Sequence, residues 1–480
     1  MSRSKRLLIL LAVLAAACAA AFAALHWQHR QEQLQTSGQA VLEIDPDAVT
    51  SLAWTCGDTS LAFARGEEGG WSYPEDEAFP VDPEAMEALL SPFAPFSAAF
   101  VIEDVEDETQ YGLDDPACSI TIATDAQTWE IRLGDTSAVD GQRYVSFGDG
   151  RVYLAAADPL EQYDITLRDC ILNDEAPEME KAASIAFSGS EDWEAFYQED
   201  NAAYTYCADD VYFTRRDGAT LPLDTSRVED YLSALSSLGL DNYVTYDAAQ
   251  EDLAQYGLDE PELTVTVDYT TPEDESGTFT LHISRDPEEK AEAEAKAAGA
   301  DGETDGETDE EETVTAYARV GDSAIVYSIS AEEYNSLMAA SYDDLRHRKL
   351  LTADFEDVQR VDVTLDGATE TFTAEGKGDG RTWTWDGEEV EFSALQIAIE
   401  DLTADSFTSE TPSQRQEVAL TVYLDHETFP QVEIALYRYD GSHCLAVVDG
   451  TPACLVSRAD AVNLMETVRS IVLGGEESGG

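Results

Sequence analysis

The amino-acid sequence predicts an α+β protein: an N-terminal transmembrane helix followed by three repeated strand-rich modules, each with a mainly antiparallel sheet and one principal covering helix. Three observations predict it. They are an apolar run of 19 residues near the N-terminus, a long internal repeat, and polar–apolar alternation flanking Gly/Asp turns.

Arg3, Lys5 and Arg6 precede an unbroken apolar run from Leu7 to Leu25, and Trp27 follows it. At 1.5 Å per residue the run makes a helix about 29 Å long, matching the hydrocarbon thickness of a bilayer. The flanking cations favour a cytoplasmic N-terminus and Trp27 suits the far interface. The expectation is a cytoplasmic tail (1–6), a single-pass cell-membrane anchor (7–27), a linker (28–41) and an extracytoplasmic bulk. His26 and His29 then lie at the membrane edge. Two other readings of this segment stay open: acylation of Cys18 behind Ala15, Ala16 and Ala17, and cleavage after the small-x-small triplet Ala21-Phe22-Ala23, which would release a secreted form.

The repeat organises the remainder. Tyr111-Gly112-Leu113-Asp114-Asp115-Pro116 recurs as Tyr256-Gly257-Leu258-Asp259-Glu260-Pro261, and each copy leads into an alternating strand, from Cys118 and from Leu263. Upstream, Asp82, Asp224 and Ser393 each read as a helix N-cap between an apolar residue and a second one four positions on, Met86, Val228 and Ile397, the pattern of a hydrophobic staple. Ser393 with Gln396 also fits a capping box. Downstream, Tyr144 to Leu154, Tyr317 to Ser328 and Cys444 to Val456 read as equivalent hairpins. The first two units close with Leu167-Arg168 and Leu345-Arg346. The third has Thr411-Pro412-Ser413-Gln414 in place of the aromatic–glycine turn and reads as a capping copy. The expected modules are 42–174, 175–354 and 355–473, with a flexible tail at 474–480.

A net charge of −72, from 27 basic and 99 acidic residues, excludes nucleic acid and anionic membrane surfaces as partners. Part of it lies in 286–312, where thirteen acids face two lysines. Low hydrophobicity and one-sign charge predict a solvated, disordered insertion there. Asp301, Asp305 and Asp309 are a calcium alternative, but they lack the alternate-position spacing of a calcium loop. Arg346-His347-Arg348-Lys349 is the one basic cluster of the exported body, read either as a unit-closing turn or as a docking site for an acidic partner.

No catalytic, cofactor or metal residues are assigned. Gly321-Asp322-Ser323 resembles the start of a hydrolase nucleophile site, but it falls where the first unit has its hairpin turn. Gly376 to Gly380 resembles a phosphate loop, but an aromatic strand follows instead of a helix. His282, His347, His426 and His443 are not at metal-ligand spacing. Of six cysteines outside the anchor none forms a CxxC pair, so metal binding is not expected, and pairing stays open. With Val448 facing Ala453, Cys444 falls opposite Ser457 and Cys454 opposite Val447, on opposite faces unless a bulge intervenes, so no bridge is expected between them. The repeated turn itself (Tyr111, Gly112, Leu113, Asp114, Pro116 and Tyr256, Gly257, Leu258, Asp259, Pro261) reads first as architecture and second as a binding site.

The anchor, the Ile44-Asp45-Pro46-Asp47-Ala48-Val49 opening, the Tyr111 to Pro116 turn and the Leu-Arg closing motif together resemble the bacterial domain-of-unknown-function 4340 family. That resemblance implies an auxiliary envelope role beside ABC transporter components of the gliding-motility type, with the permease or another envelope protein as partner. The leading expectation is a non-enzymatic, membrane-anchored accessory protein. The alternatives are an envelope glycan hydrolase using paired carboxylates and a cell-surface adhesion or spacer protein.

Overall fold

The computed structural model describes residues 39–66, 69–139, 141–299, 314–376 and 381–478. The anchor expected over 7–27 lies outside them, and among the described residues no helix is long and apolar enough to cross a membrane. The chain divides into two compact units, with the boundary between Asp174 and Glu175. One nine-stranded antiparallel sheet forms the first unit and two such sheets form the second.

The first sheet contains β1 (Gln39–Leu42), β2 (Val49–Cys56), β3 (Thr59–Arg65), β4 (Trp71–Ser72), β5 (Phe96–Ile102), β6 (Cys118–Thr124), β7 (Thr128–Thr136), β8 (Arg143–Ser146) and β9 (Val152–Ala155). Helix α1 (Pro83–Leu90) lies between β4 and β5, and the short α2 (Leu160–Tyr163) follows β9. The second sheet contains β10 (Lys181–Gly189), β11 (Trp193–Tyr197), β12 (Tyr212–Arg216), β13 (Ala219–Pro222), β14 (Tyr243–Thr245), β15 (Leu263–Thr270), β16 (Ser276–Arg285), β17 (Ala316–Val320) and β18 (Val326–Ile329). Its helices are α3 (Thr225–Ser236), α4 (Pro287–Gly299), α5 (Ala331–Met338) and α6 (Tyr342–Leu345). The third contains β19 (Val358–Leu365), β20 (Ala368–Glu375), β21 (Thr382–Trp385), β22 (Glu388–Val390), β23 (Ala404–Phe407), β24 (Gln416–Leu424), β25 (Gln431–Arg438), β26 (His443–Val448) and β27 (Thr451–Ser457), with α7 (Ser393–Glu400) and α8 (Arg458–Ser478).

The repeat is a repeat of topology. In the second and third sheets the fifth strand in sequence forms one edge, and the order runs on through the ninth, eighth, seventh, sixth, first, second, third and fourth. The first sheet takes the same path from β5 to β4, lacks the last strand, and carries β1 outside β5. The third unit, expected as a capping copy, keeps the whole topology.

Alternation sets one face of each sheet inward: Cys118, Ile120 and Ile122 on β6, and Leu263, Val265 and Val267 on β15, are buried. A helix closes that face. Asp82 Oδ1 accepts from Glu84 N at 2.9 Å and α1 buries Met86, Leu89 and Leu90. Asp224 caps α3, which buries Val228, Tyr231, Leu232 and Leu235.

Several expectations need correcting. In α7 the N-cap is Phe392, with no side-chain cap, and Ser393 Oγ donates to Glu391 instead. Phe392 stacks on Trp383 with ring centroids 3.7 Å apart, which sets the helix phase so that Leu395, Ala398 and Ile399 turn inward and Ile397 is 56% exposed. The first half of the acidic insertion is helix α4; residues 300–312 lie outside the described set. Its Ala, Glu and Lys content favours helix without burial, Pro287 suits the first turn, and Asp286 caps Glu288 N at 2.9 Å. Strand β1 begins inside the segment expected as linker, and α8 runs through Ser478, giving the third unit two helices.

Cysteine geometry also differs. Cys56 and Cys118 face each other across β2 and β6 and form a disulfide that spacing did not reveal. In the last hairpin Val448 faces Thr451, and a bulge between Ala446 and Val447 sets Cys444 opposite Val456 and Cys454 opposite Ala446. Both sulfurs therefore enter the same core. They stay unpaired because they are diagonal neighbours, about 7 Å apart between backbones, beyond the usual reach of a bridge.

The repeated aromatic–glycine turn is a 3₁₀ turn ended by a left-handed glycine, Gly112 at φ +67° and Gly257 at φ +69°. Leu113 and Leu258 are buried, and Tyr111 meets Tyr144 edge-on as Tyr256 meets Tyr317, at 4.9 and 5.1 Å. A methyl on Gly112 would lie 2.9 Å from the backbone nitrogen of Asp135, and one on Gly257 would lie 2.7 Å from Ser284 Oγ. Gly112→Ala and Gly257→Ala should therefore each cost about 2–3 kcal/mol in equilibrium chemical denaturation. Gly150→Ala, at φ +82° with open space around it, should cost about 1 kcal/mol. Equal losses at all three positions would show that close approach contributes nothing.

Candidate functional site

The basic cluster lies where the second unit's two sheets join. Helix α6 ends at Leu345, and Arg346 leaves it in extended conformation, φ −85° and ψ 162°. On one side Asp224 N donates to Leu345 O at 2.9 Å. On the other, Leu350 N donates to Leu402 O, Ala404 N donates to Arg348 O, and Lys349 bridges Thr403. The segment is thus a strap bonded to both sheets.

Beside it opens a groove of about 340 Å³, lined by all four basic residues together with Tyr204, Tyr206, Tyr342, Phe407, Phe429 and Cys454. Tyr206 reaches it from the loop between β11 and β12, packs against the third sheet's core and meets Phe429 edge-on at 6.0 Å. That loop is folded on Asn201, whose Nδ2 donates to the carbonyls of Ala208 and Asp210 at 2.9 and 2.7 Å.

The four basic residues have different surroundings. Arg346 lies 3.5 Å over the Phe407 ring and 4.9 Å over Tyr342, with Asp343 at 3.0 Å. His347 Nε2 donates to Asp210 Oδ1 at 2.7 Å, and its Nδ1 is 3.6 Å from Asp224 Oδ2. Asp210 is 1% exposed and accepts a second bond from Thr205 Oγ1 at 2.7 Å. Burial alone would depress the His347 imidazole, but the hydrogen bonds and charges of Asp210 and Asp224 outweigh it and raise the group to about 9. The His347 bond in turn holds the Asp224 carboxyl below its ordinary range. Arg348 and Lys349 are exposed and have no acidic partner among the described residues.

Residues 71–182 and 216–421 match the family described as Domain of unknown function (DUF4340). The chain belongs to this family. Neither a curated protein nor a solved structure matches it. The DUF4340 match takes in Asp224, Arg346 to Lys349 and Phe407, whereas Tyr204, Tyr206, Asp210, Phe429 and Cys454 lie outside the matched ranges. The strap is therefore part of the family's matched region, and much of the groove wall around it is not.

Chemically the arrangement suits binding. A general base needs one free imidazole nitrogen, and both nitrogens of His347 face carboxylates. Near the surface, Ser442 and Asp440 both approach the same nitrogen, Nδ1, of His443, which makes a local turn and not a relay. Burial raises the thiols of Cys454 and Cys207 to about 11 and those of Cys444 and Cys170 to about 12, so none is a thiolate at neutral pH. Among the described residues no group of three or more His, Cys, Asp or Glu is placed to hold a metal. Asp114 and Asp259 of the repeated turn face solvent, and the two copies belong to different compact units.

The strap was visible as a run of cations. Its anchors were not: Asp224 shows only as a helix cap, and nothing in the loop sequence marks Asp210.

A histidine raised from about 6.5 to about 9 on folding contributes its full stabilisation below pH 6.5 and loses it as pH rises through 9. Wild-type stability should fall by on the order of 2 kcal/mol between pH 6.5 and 9.5. His347→Gln, which keeps a donor without the charge, should flatten this limb in denaturation measured across that range. Superimposable profiles would rule out the imidazolium as the linkage.

Proposed function

We propose that this chain is a non-enzymatic, single-pass accessory protein whose bulk lies outside the cytoplasm. In this reading it docks a protein of the envelope, an ABC transporter permease foremost, at the Arg346 to Lys349 groove. One observation carries the docking site: Arg348 and Lys349 stand exposed and unneutralised at the mouth of an aromatic-lined groove, in a chain of net charge −72. Cations left unpaired amid such an excess of carboxylates are available to an incoming partner, and the part-exposed aromatics beside them are of the kind that anchors protein interfaces.

Two further features support the location. The 7–27 segment has the length and flanking charge of a membrane anchor, and the Cys56–Cys118 disulfide suits an oxidising compartment.

In membranes of the native host, crosslinking followed by purification of the full chain should recover permease subunits with the wild type. Arg348→Glu with Lys349→Glu should recover about a tenth as much or less. Equal recovery with both chains, or no permease with either, would sink the docking reading. Maleimide added during non-reducing denaturation of the same membranes should modify Cys170, Cys207, Cys444 and Cys454 and spare Cys56 and Cys118. Modified Cys56 and Cys118 would remove the compartment argument.

A further inference from the structure

We infer that the groove recognises a short, extended, acidic peptide segment carrying aromatic or large apolar side chains. The inference rests on the docking reading above and names the chemistry of the element that docks.

The cations are strung along extended backbone from Arg346 to the Lys349–Thr403 bridge. On such backbone alternate residues are about 7 Å apart on one side, which is also the spacing of carboxylates at alternate positions of an extended partner. A compact phosphate instead demands donors converging on one centre, and a string of this kind does not converge.

Arg348 also borders a second hollow of about 430 Å³, but Asp230 and Asp344 line it with Arg227, so the favourable charge for an acidic ligand is confined to the first groove.

The apolar requirement comes from the floor. Phe407, Phe429 and Ala453, each part-exposed, form a surface that an anion alone leaves in contact with water, and Tyr204, 42% exposed, adds a ring at the rim. With Arg346 held against Phe407 and Tyr342, the position of its charge over that floor is set before any partner arrives. An acidic segment is repelled by most of the surface of a chain with 99 acidic and 27 basic residues, so the groove with its unpaired cations is where its approach is favourable.

Fluorescence anisotropy with the full chain in detergent tests this. The probe is a short labelled peptide alternating glutamate with phenylalanine, compared with a glutamate–glycine peptide. Inorganic phosphate and an oligouronate serve as competitors. Saturable binding of the phenylalanine probe is expected, weakened at least about tenfold by Arg348→Glu with Lys349→Glu and about threefold by Tyr204→Ser. The glycine probe should bind about tenfold more weakly. Absence of saturable binding, unchanged affinity in the charge-reversed chain, or displacement by phosphate or oligouronate at concentrations equal to the peptide's would overturn the inference. If the peptide arm fails while charge reversal still abolishes permease crosslinking, the docking reading stands and the peptide chemistry falls. If crosslinking fails as well, the docking reading falls too.

Discussion

The groove exists because Arg346 to Leu350 is tied at both ends by main-chain hydrogen bonds. Leu345 O receives Asp224 N from the second sheet's helix cap, and Leu350 N with Arg348 O engages Leu402 and Ala404 beside the third sheet. A strap held so has little conformational entropy left to lose, and its side chains project from fixed positions. Asp224 joins the two levels, since it caps α3 and faces His347. The imidazolium, set between two carboxylates, neutralises charge that would otherwise be costly beneath the groove.

Legibility in the sequence followed whether a residue's partner was local or distant. The caps at Asp82 and Asp224, with Met86 and Val228, were readable because each contact spans a few residues. At Ser393 the same rule failed because Phe392 has a better option across the sheet, stacking on Trp383, and one aromatic contact outweighs a cap. The bulge that turns Cys454 inward is a competition of the same kind: hairpin register follows the turn, and the two-residue Asp449-Gly450 turn, with both residues at positive φ, shifted it. For α4, lack of burial is a poor guide, because Ala, Glu and Lys stabilise helix without it.

The groove was half legible. Four consecutive cations in so acidic a chain are conspicuous, and Leu345-Arg346 echoes Leu167-Arg168. What makes them a site comes from elements far away in sequence: Tyr206 and Asp210 from one loop, Phe407 and Phe429 from the next sheet. No periodicity marks those residues, because a loop residue's burial is decided by what it lands on. The closing motif of the first unit shows the contrast. Asp169 stands where the alignment of the two Leu-Arg motifs places His347, and its carboxylate caps Thr166 within its own 3₁₀ turn. Equivalent positions in one repeat thus serve a local turn in one module and, in the next, a tie from the closing segment to a distant loop and helix cap of the same module.

That divergence bears on why the module is repeated. The first two sheets are each followed by a Leu-Arg closing segment, and a segment that only ends its own module has no reason to carry excess charge. The strap between the second and third sheets ends one module and leads the next, so its backbone is satisfied twice over and those of its side chains that make no internal contact are released from structural duty. Arg348 and Lys349 are the residues so released. In an acidic chain, two free cations on such a strap cost solubility nothing and locally offset the negative field, most effectively within about 8–10 Å, the screening length at physiological salt. That offset is felt only by a partner already close to the aromatic wall, so charge and apolar surface act on the same encounter.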